Sequence, residues 1–300
     1  MYIKEEIKRV AKDKKAIILA HNYQNEDIQE IADFSGDSLE LSQIAATSNA
    51  EIIVLCGVHF MAESAAILAP DKKVIIPDIT AGCPMADMAT PDELNKMKMK
   101  HPDAKVVTYI NTSAAVKALS DICCTSSNAL KIVERVDAKK IIFVPDRNLG
   151  SYVKRFTNKE IILWKGYCPT HDLFTREDLL TIKSKFPDAI VMVHPECRPE
   201  VIDIADEVLS TGGMGKFVAE TRHKKIIVGT EKGMIFKLKS IAPDKEYIPA
   251  TDSFICSDMK KINFEKLYNS IIKEETVLTV SDDIAQYARK SLSKMLDLSY

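Results

Sequence analysis

One stretch of this sequence recurs three times, and the recurrence limits the fold more than any other feature. Ala16-Ile-Ile-Leu-Ala-His-Asn-Tyr23, Lys105-Val-Val-Thr-Tyr-Ile-Asn111 and Ala189-Ile-Val-Met-Val-His-Pro-Glu196 are apolar runs ending in polar residues. Aligned, they place His21, Tyr109 and His194 at equivalent positions, 88 and then 85 residues apart. The same offsets relate Asp33, Asp121 and Asp206 in the next block, and Ser38, Ser126 and Thr211 beyond it. A third set of apolar runs follows: Glu51–Gly57, Lys140–Pro145 and Lys225–Gly229. Agreement over successive blocks is the mark of a triplicated unit.

Each unit reads as strand, helix, short strand with a Ser/Thr-rich turn, helix, strand, helix and a last short strand. The strands are continuous β-branched runs, the pattern of a parallel sheet covered on both faces. Helices at Thr90–Lys100 and Arg176–Phe186 open on Thr-Pro and Thr-Arg-Glu-Asp and stop near Pro102 and Pro187. The fold class is therefore α/β: three homologous doubly wound α/β/α domains with parallel sheets around a pseudo-threefold axis. The expected domains are residues 1–84, 85–169 and 170–258, with helices in 259–300 packing back onto the first.

Composition narrows the function. With 41 basic and 43 acidic side chains in 300 residues, there is no basic field for nucleic acid. The first apolar run, Ala16–Ala20, is too short for a signal peptide core, and no later run reaches the roughly 18 residues of a membrane span. A soluble cytoplasmic protein with no membrane partner is expected. Seven cysteines without a secretion signal argue for reduced thiols, some of them free to ligate metal.

Open parallel sheets bind ligands beyond the carboxyl ends of their strands. Those ends carry His21, Asn22, Tyr23, Tyr109, Asn111, His194 and Glu196, while Ser38, Ser126 and Thr211 precede helical segments able to receive anions. Three of the cysteines also obey the repeat. Cys83, Cys168 and Cys256 lie 85 and 88 residues apart, whereas Cys56, Cys123, Cys124 and Cys197 have no equivalents. Around a common axis the three repeated thiols would meet. They suit a tetrahedral zinc completed by His or water, or a [4Fe–4S] cluster with one iron lacking a protein thiolate.

The stretches Leu19–Gln24, Ala32–Ser38, Cys83-Pro-Met85, Tyr109-Ile-Asn111, Pro145–Gly150, Val193–Cys197, Ser210–Gly213 and Gly229–Met234 closely resemble the quinolinate synthase family. The resemblance runs from about Lys15 to Cys256. It implies a three-domain protein with a [4Fe–4S] cluster on Cys83, Cys168 and Cys256, its open iron a Lewis acid. The implied reaction condenses iminoaspartate with dihydroxyacetone phosphate to quinolinate, releasing phosphate and water, on the route to NAD. An upstream enzyme making iminoaspartate is the partner it suggests. His21, Ser38, Tyr109, Asn111, Ser126, His194, Glu196 and Thr211 fall on the family's substrate-contacting positions, with Tyr23, Met61 and His171 around the cavity. Glu196 is the expected general acid/base, Tyr109 and Tyr23 polarise or relay, and His21 binds substrate oxygens. One departure stands out: Cys256-Ser-Asp-Met259 lacks the proline that follows Cys83 and Cys168. The rival readings are another [4Fe–4S] hydro-lyase and a zinc-bound small-molecule binding module.

Overall fold

Three four-stranded parallel sheets form in sequence, each from one unit, in a computed structural model that describes residues 2–299. Unit one contributes Ala16–His21 (β1), Phe34–Gly36 (β2), Ile52–Cys56 (β3) and Lys73–Ile75 (β4). Unit two contributes Lys105–Tyr109 (β5), Ile122–Cys124 (β6), Lys140–Val144 (β7) and Glu160–Leu163 (β8). Unit three contributes Ile190–Val193 (β9), Glu207–Val208 (β10), Lys225–Gly229 (β11) and Glu246–Pro249 (β12). The strand order is β2-β1-β3-β4, β6-β5-β7-β8 and β10-β9-β11-β12, with helices flanking every sheet.

The repeat extends to strand register. Leu19 pairs with Phe34, Val107 with Ile122 and Met192 with Glu207; Ile17 pairs with Ile53, Lys105 with Ile141 and Ile190 with Ile226. The recurring aspartates explain part of this. Asp33, Asp121 and Asp206 each accept the amide of the neighbouring first strand, from Ile18, Val106 and Val191, at 2.8 Å. A carboxylate at that point caps a free strand N–H and fixes the pairing of the short second strand.

The units are not beads on a string. One buried cluster includes Leu19, Val107, Met192 and Leu292, so a single apolar core crosses all three and reaches the C-terminal segment. That segment divides. Helix Phe264–Lys273 buries Leu267 and Ile271 with Ile7 and Val10 of the N-terminal helix. Helix Asp282–Ser299 goes elsewhere: Ser291 Oγ donates to the Lys117 carbonyl at 2.8 Å, and Asn128 Nδ2 to Ser299 Oγ at 2.8 Å. Arg289 Nε reaches the Ile67 carbonyl at 2.7 Å. The long helix thus rides the seam between units one and two instead of returning to unit one alone, because its buried Ala288, Leu292 and Met295 fill the apolar space there. Among the described residues, no helix is long and apolar enough to cross a membrane.

Candidate active site

Each repeated cysteine follows a backbone bond that ties its loop to the end of a central strand. His59 N–H donates to the Ala81 carbonyl (2.7 Å), Arg147 N–H to Gly166 (2.8 Å) and Lys232 N–H to Phe254 (3.0 Å). Cys83, Cys168 and Cys256 come two residues after those carbonyls. The donors keep the 88 and 85 spacing while the acceptors reverse it, because the segment between them is three residues shorter in unit two. Pro84 and Pro169 then open one-turn helices, their fixed φ and missing N–H suiting the first helical position. Unit three replaces proline with side chains. Cys256 N–H donates to Glu231 Oε1 (3.3 Å), Lys260 Nζ lies 2.9 Å from the same oxygen, and it donates to the Tyr23 carbonyl (2.6 Å). Asp258 Oδ1 accepts the Gly82 amide at 3.2 Å, joining the loops of Cys256 and Cys83.

All three thiols line one cavity of about 240 Å³, which His21, Tyr23, Ser38, Met61, Tyr109, Asn111, Ser126, His171, His194, Glu196 and Thr211 also line. Of the strand-end, Ser/Thr and cysteine residues singled out for the site in the sequence, all but Asn22 therefore lie on that wall; Asn22 stands behind it, its Nδ2 donating to Thr211 Oγ1 at 3.3 Å. All seven cysteines are free thiols. Cys56, Cys123, Cys124 and Cys197 are buried away from the lining, as small apolar side chains.

Across the cavity wall runs a continuous chain of hydrogen bonds. Tyr109 Oη donates to Glu196 Oε1 (2.7 Å), and Glu196 Oε2 lies 2.8 Å from His171 Nδ1. His171 Nε2 is 2.9 Å from Thr230 Oγ1, which is 2.6 Å from Tyr23 Oη. Thr230 was not among the residues expected at the site. It stands one residue past β11, where the other units carry Gly57 and Pro145, so the repeat offered no hydroxyl to match.

Burial by itself would push the Glu196 carboxyl up. The neighbouring His194 and His171, and hydrogen bonds from His171 and Tyr109, outweigh it and hold the group below the usual carboxylate range. Glu196 is thus ionised near neutral pH and free to accept a proton. Burial, reinforced by the Glu196 charge, raises Tyr109 and Tyr23 well above the ordinary phenol, so both remain donors. His21 and His194 are lowered to about 4 and about 3, chiefly by burial. Their Nδ1 atoms accept the Tyr23 amide (3.1 Å) and the Glu196 amide (3.3 Å), and His194 Nε2 meets Ser126 Oγ at 3.2 Å. Both imidazoles are neutral near pH 7 and present Nε2–H to the cavity side.

At one end the three Ser/Thr turns meet. Ser127 Oγ donates to Asp37 Oδ2 (2.5 Å) and lies 2.9 Å from Ser210 Oγ, so one residue from each unit joins the contact. Gly212 sits against it; a Cβ there would come within 2.7 Å of Asp37 Oδ2. Asp37 and Ser210 cap the helices Ser38–Thr47 and Thr211–Glu220, whose N-termini face the cavity. Among the described residues the lining contains no Arg or Lys. Asn111 Oδ1 is buried with no protein partner, an acceptor left for whatever fills the space.

Among the described residues, Cys168, His171 and Glu196 place ligand atoms within 4.8 Å of one another and could hold a metal ion. The three repeated sulfurs do not form such a set. A tetrahedral zinc would require its sulfurs about 3.8 Å apart, given bonds of about 2.3 Å. Three thiols spread wider around one cavity suit a larger, polynuclear group.

The Quinolinate synthetase A protein family profile matches residues 5–297. A quinolinate synthase of Geobacter sp. (strain M21) is 50% identical over 294 residues, covering 98% of this chain and 97% of that protein. One from Caldicellulosiruptor saccharolyticus is 49% identical over 298 residues, covering 99% and 98%. One from Methanoregula boonei is 48% identical over 296 residues, again covering 99% and 98%. A triplicated α/β fold, a shared cysteine-lined cavity and near-complete matches of this kind lead to one conclusion: the chain belongs to the quinolinate synthase family.

Proposed function

We propose that this chain is a quinolinate synthase, condensing iminoaspartate with dihydroxyacetone phosphate to quinolinate with release of phosphate and water, in the cytoplasm. The observation that carries the reading is the chain Tyr109–Glu196–His171–Thr230–Tyr23 in a cavity shared by three repeat-related cysteines. Cys83, Cys168 and Cys256 would hold a [4Fe–4S] cluster. Bound there, such a cluster supplies an iron with an open position, a Lewis acid for a departing hydroxyl.

The reaction needs protons moved among carbon, nitrogen and oxygen, and no net electron transfer. Glu196 receives a proton from substrate through Tyr109, and the chain through His171 and Thr230 connects it to Tyr23 on the other wall. Tyr109 gives its one O–H to Glu196 and so serves as the relay, while Tyr23, kept protonated, polarises carbonyl or imine by donating to it. His21 and His194 act as neutral donors to carboxylate oxygens, and Asn111 offers its free acceptor. Ser38, Ser126 and Thr211, with the N-termini of helices Ser38–Thr47 and Thr211–Glu220, receive phosphate or carboxylate in place of the absent cations. Met61 and the apolar wall exclude water. The product feeds NAD synthesis, and an iminoaspartate-producing enzyme is the supplier this substrate demands.

The test is an anaerobic quinolinate assay beside an absorption spectrum. Wild-type protein should be brown and active. Glu196→Gln should keep the colour and lose about 10²- to 10⁴-fold in kcat, the usual worth of a general base. Wild-type turnover by Glu196→Gln would remove the base, and activity without dihydroxyacetone phosphate would point to a different hydro-lyase.

A further inference from the structure

Three ligand atoms of different chemistry converge on one point of the cavity wall. His171 Nδ1 lies 3.2 Å from Cys168 Sγ and 2.8 Å from Glu196 Oε2. His171 and Glu196 are almost wholly buried, and all three ligand atoms fall within 4.8 Å of one another. Hydrogen-bond distances this short between a ring nitrogen, a carboxylate and a thiol mean that they share protons. A cation that binds nitrogen, oxygen and sulfur would compete for the same point.

We propose that the cluster-free protein binds one Zn²⁺, or a similar divalent cation, through Cys168 Sγ, His171 Nδ1 and Glu196. A mixed sulfur, nitrogen and oxygen set of three with a fourth position toward the cavity suits zinc. Tetrahedral bonds of about 2.0–2.3 Å place ligand atoms roughly 3.3–3.8 Å apart, so the two pairs that include His171 need open by only some tenths of an ångström, while Cys168 and Glu196 already lie within 4.8 Å. The surroundings are those of a metal site. Thr230 Oγ1 holds the far nitrogen of His171, and Tyr109 Oη holds the other oxygen of Glu196. The three repeated thiols are the rival donor set, and they are not gathered closely enough for a single ion.

One consequence follows from the geometry. Zinc takes Cys168 from the proposed cluster and Glu196 from the proposed proton chain, so the two occupants exclude each other. The site would exist whatever reaction the cavity runs, and its failure is therefore distinguishable from failure of the proposed function.

The decisive experiment is zinc K-edge X-ray absorption on cluster-free wild-type protein loaded anaerobically with one equivalent of Zn²⁺. One sulfur at about 2.3 Å with nitrogen or oxygen neighbours at about 2.0 Å is expected; three sulfurs would overturn the assignment. Competition with a chelator gives a second reading. Thr230→Val, which removes the outer partner of His171 together with that of Tyr23 Oη and touches none of the three ligands, should weaken zinc by about 10- to 100-fold. Cys83→Ser and Cys256→Ser should leave zinc affinity unchanged, whereas a loss in either would again favour the three-thiol mode. Zinc-loaded protein should take up iron and sulfide only after the zinc is chelated away; full cluster assembly with zinc retained would refute mutual exclusion.

Discussion

The cysteine loops of units one and two differ from that of unit three in what holds them. Pro84 and Pro169 set the chain after the thiol by covalent stiffness. After Cys256 the work passes to an ion pair, Lys260 with the fully buried Glu231, and to Asp258 reaching across to Gly82. The first arrangement is local and insensitive to its surroundings. The second spans two units, since Lys260 also holds the Tyr23 carbonyl, and it depends on charges that can be removed singly. One backbone plan can thus be stabilised by backbone stiffness at two corners and by electrostatics at the third.

The largest expected effect breaks that third corner. Lys260→Met leaves Glu231 buried without its cation and should cost about 3 kcal/mol, toward the lower end for a broken buried pair because Lys260 retains some exposure. Lys260→Met with Glu231→Gln should recover much of the loss. Denaturant midpoints with unchanged slopes would measure both. In cluster-free protein, alkylation of Cys256 should quicken in the single variant while Cys83 and Cys168 keep their rates. A variant as stable as wild type would show that the pair does not hold the loop.

The repeat could be read because its recurring residues do the same job in each unit. Asp33, Asp121 and Asp206 cap the same strand amide, and the apolar runs take the same register. What escaped are the places where one unit departs from the others. Thr230 answers to Gly57 and Pro145, so alignment gave it no weight, although it joins His171 to Tyr23. Glu231 answers to Val58 and Asp146, and its partner Lys260 lies beyond the last repeat. The C-terminal helix Asp282–Ser299 was equally hidden. Its amphipathic pattern announces a helix, but which seam it fills is decided by the space between Lys117, Asn128 and Ile67.

The strand ends differ between units as well: units one and three carry His21 and His194, and unit two carries Tyr109. Burial keeps both imidazoles neutral when folded, at about 4 and about 3. Asp37, Glu196 and Lys260 act on His21; Glu196, His171 and His21 act on His194. Unfolded histidines bind protons below about 6.5, so in this window the unfolded state holds more protons and stability falls as pH falls. Glu196, lowered in the fold, adds to the loss only below about 4.3. Lowering pH from 5.5 to 4.5 should therefore cost roughly 2–3 kcal/mol, at about 1.4 kcal/mol per unit for each histidine. Urea titrations at the two values would show it. His21→Asn with His194→Asn should flatten the dependence and Tyr109→Phe should leave it; an equal slope in all three proteins would show that the strand ends do not differ in this way.

The smallest effects separate the two ways of holding a loop. Asp258→Ala takes the acceptor from the Gly82 amide and should cost about 1 kcal/mol, the ordinary worth of one hydrogen bond. Pro84→Ala should cost less, about 0.5 kcal/mol, because its main effect is to free the unfolded chain. The thiols give the sharper reading. Asp258 touches the loop of Cys83 from the loop of Cys256, so its loss should speed alkylation of both. Pro84→Ala should change Cys83 alone. If Pro84→Ala also exposed Cys256, stiffness at the first corner would be transmitted to the third, and the division between local and shared restraint would fall.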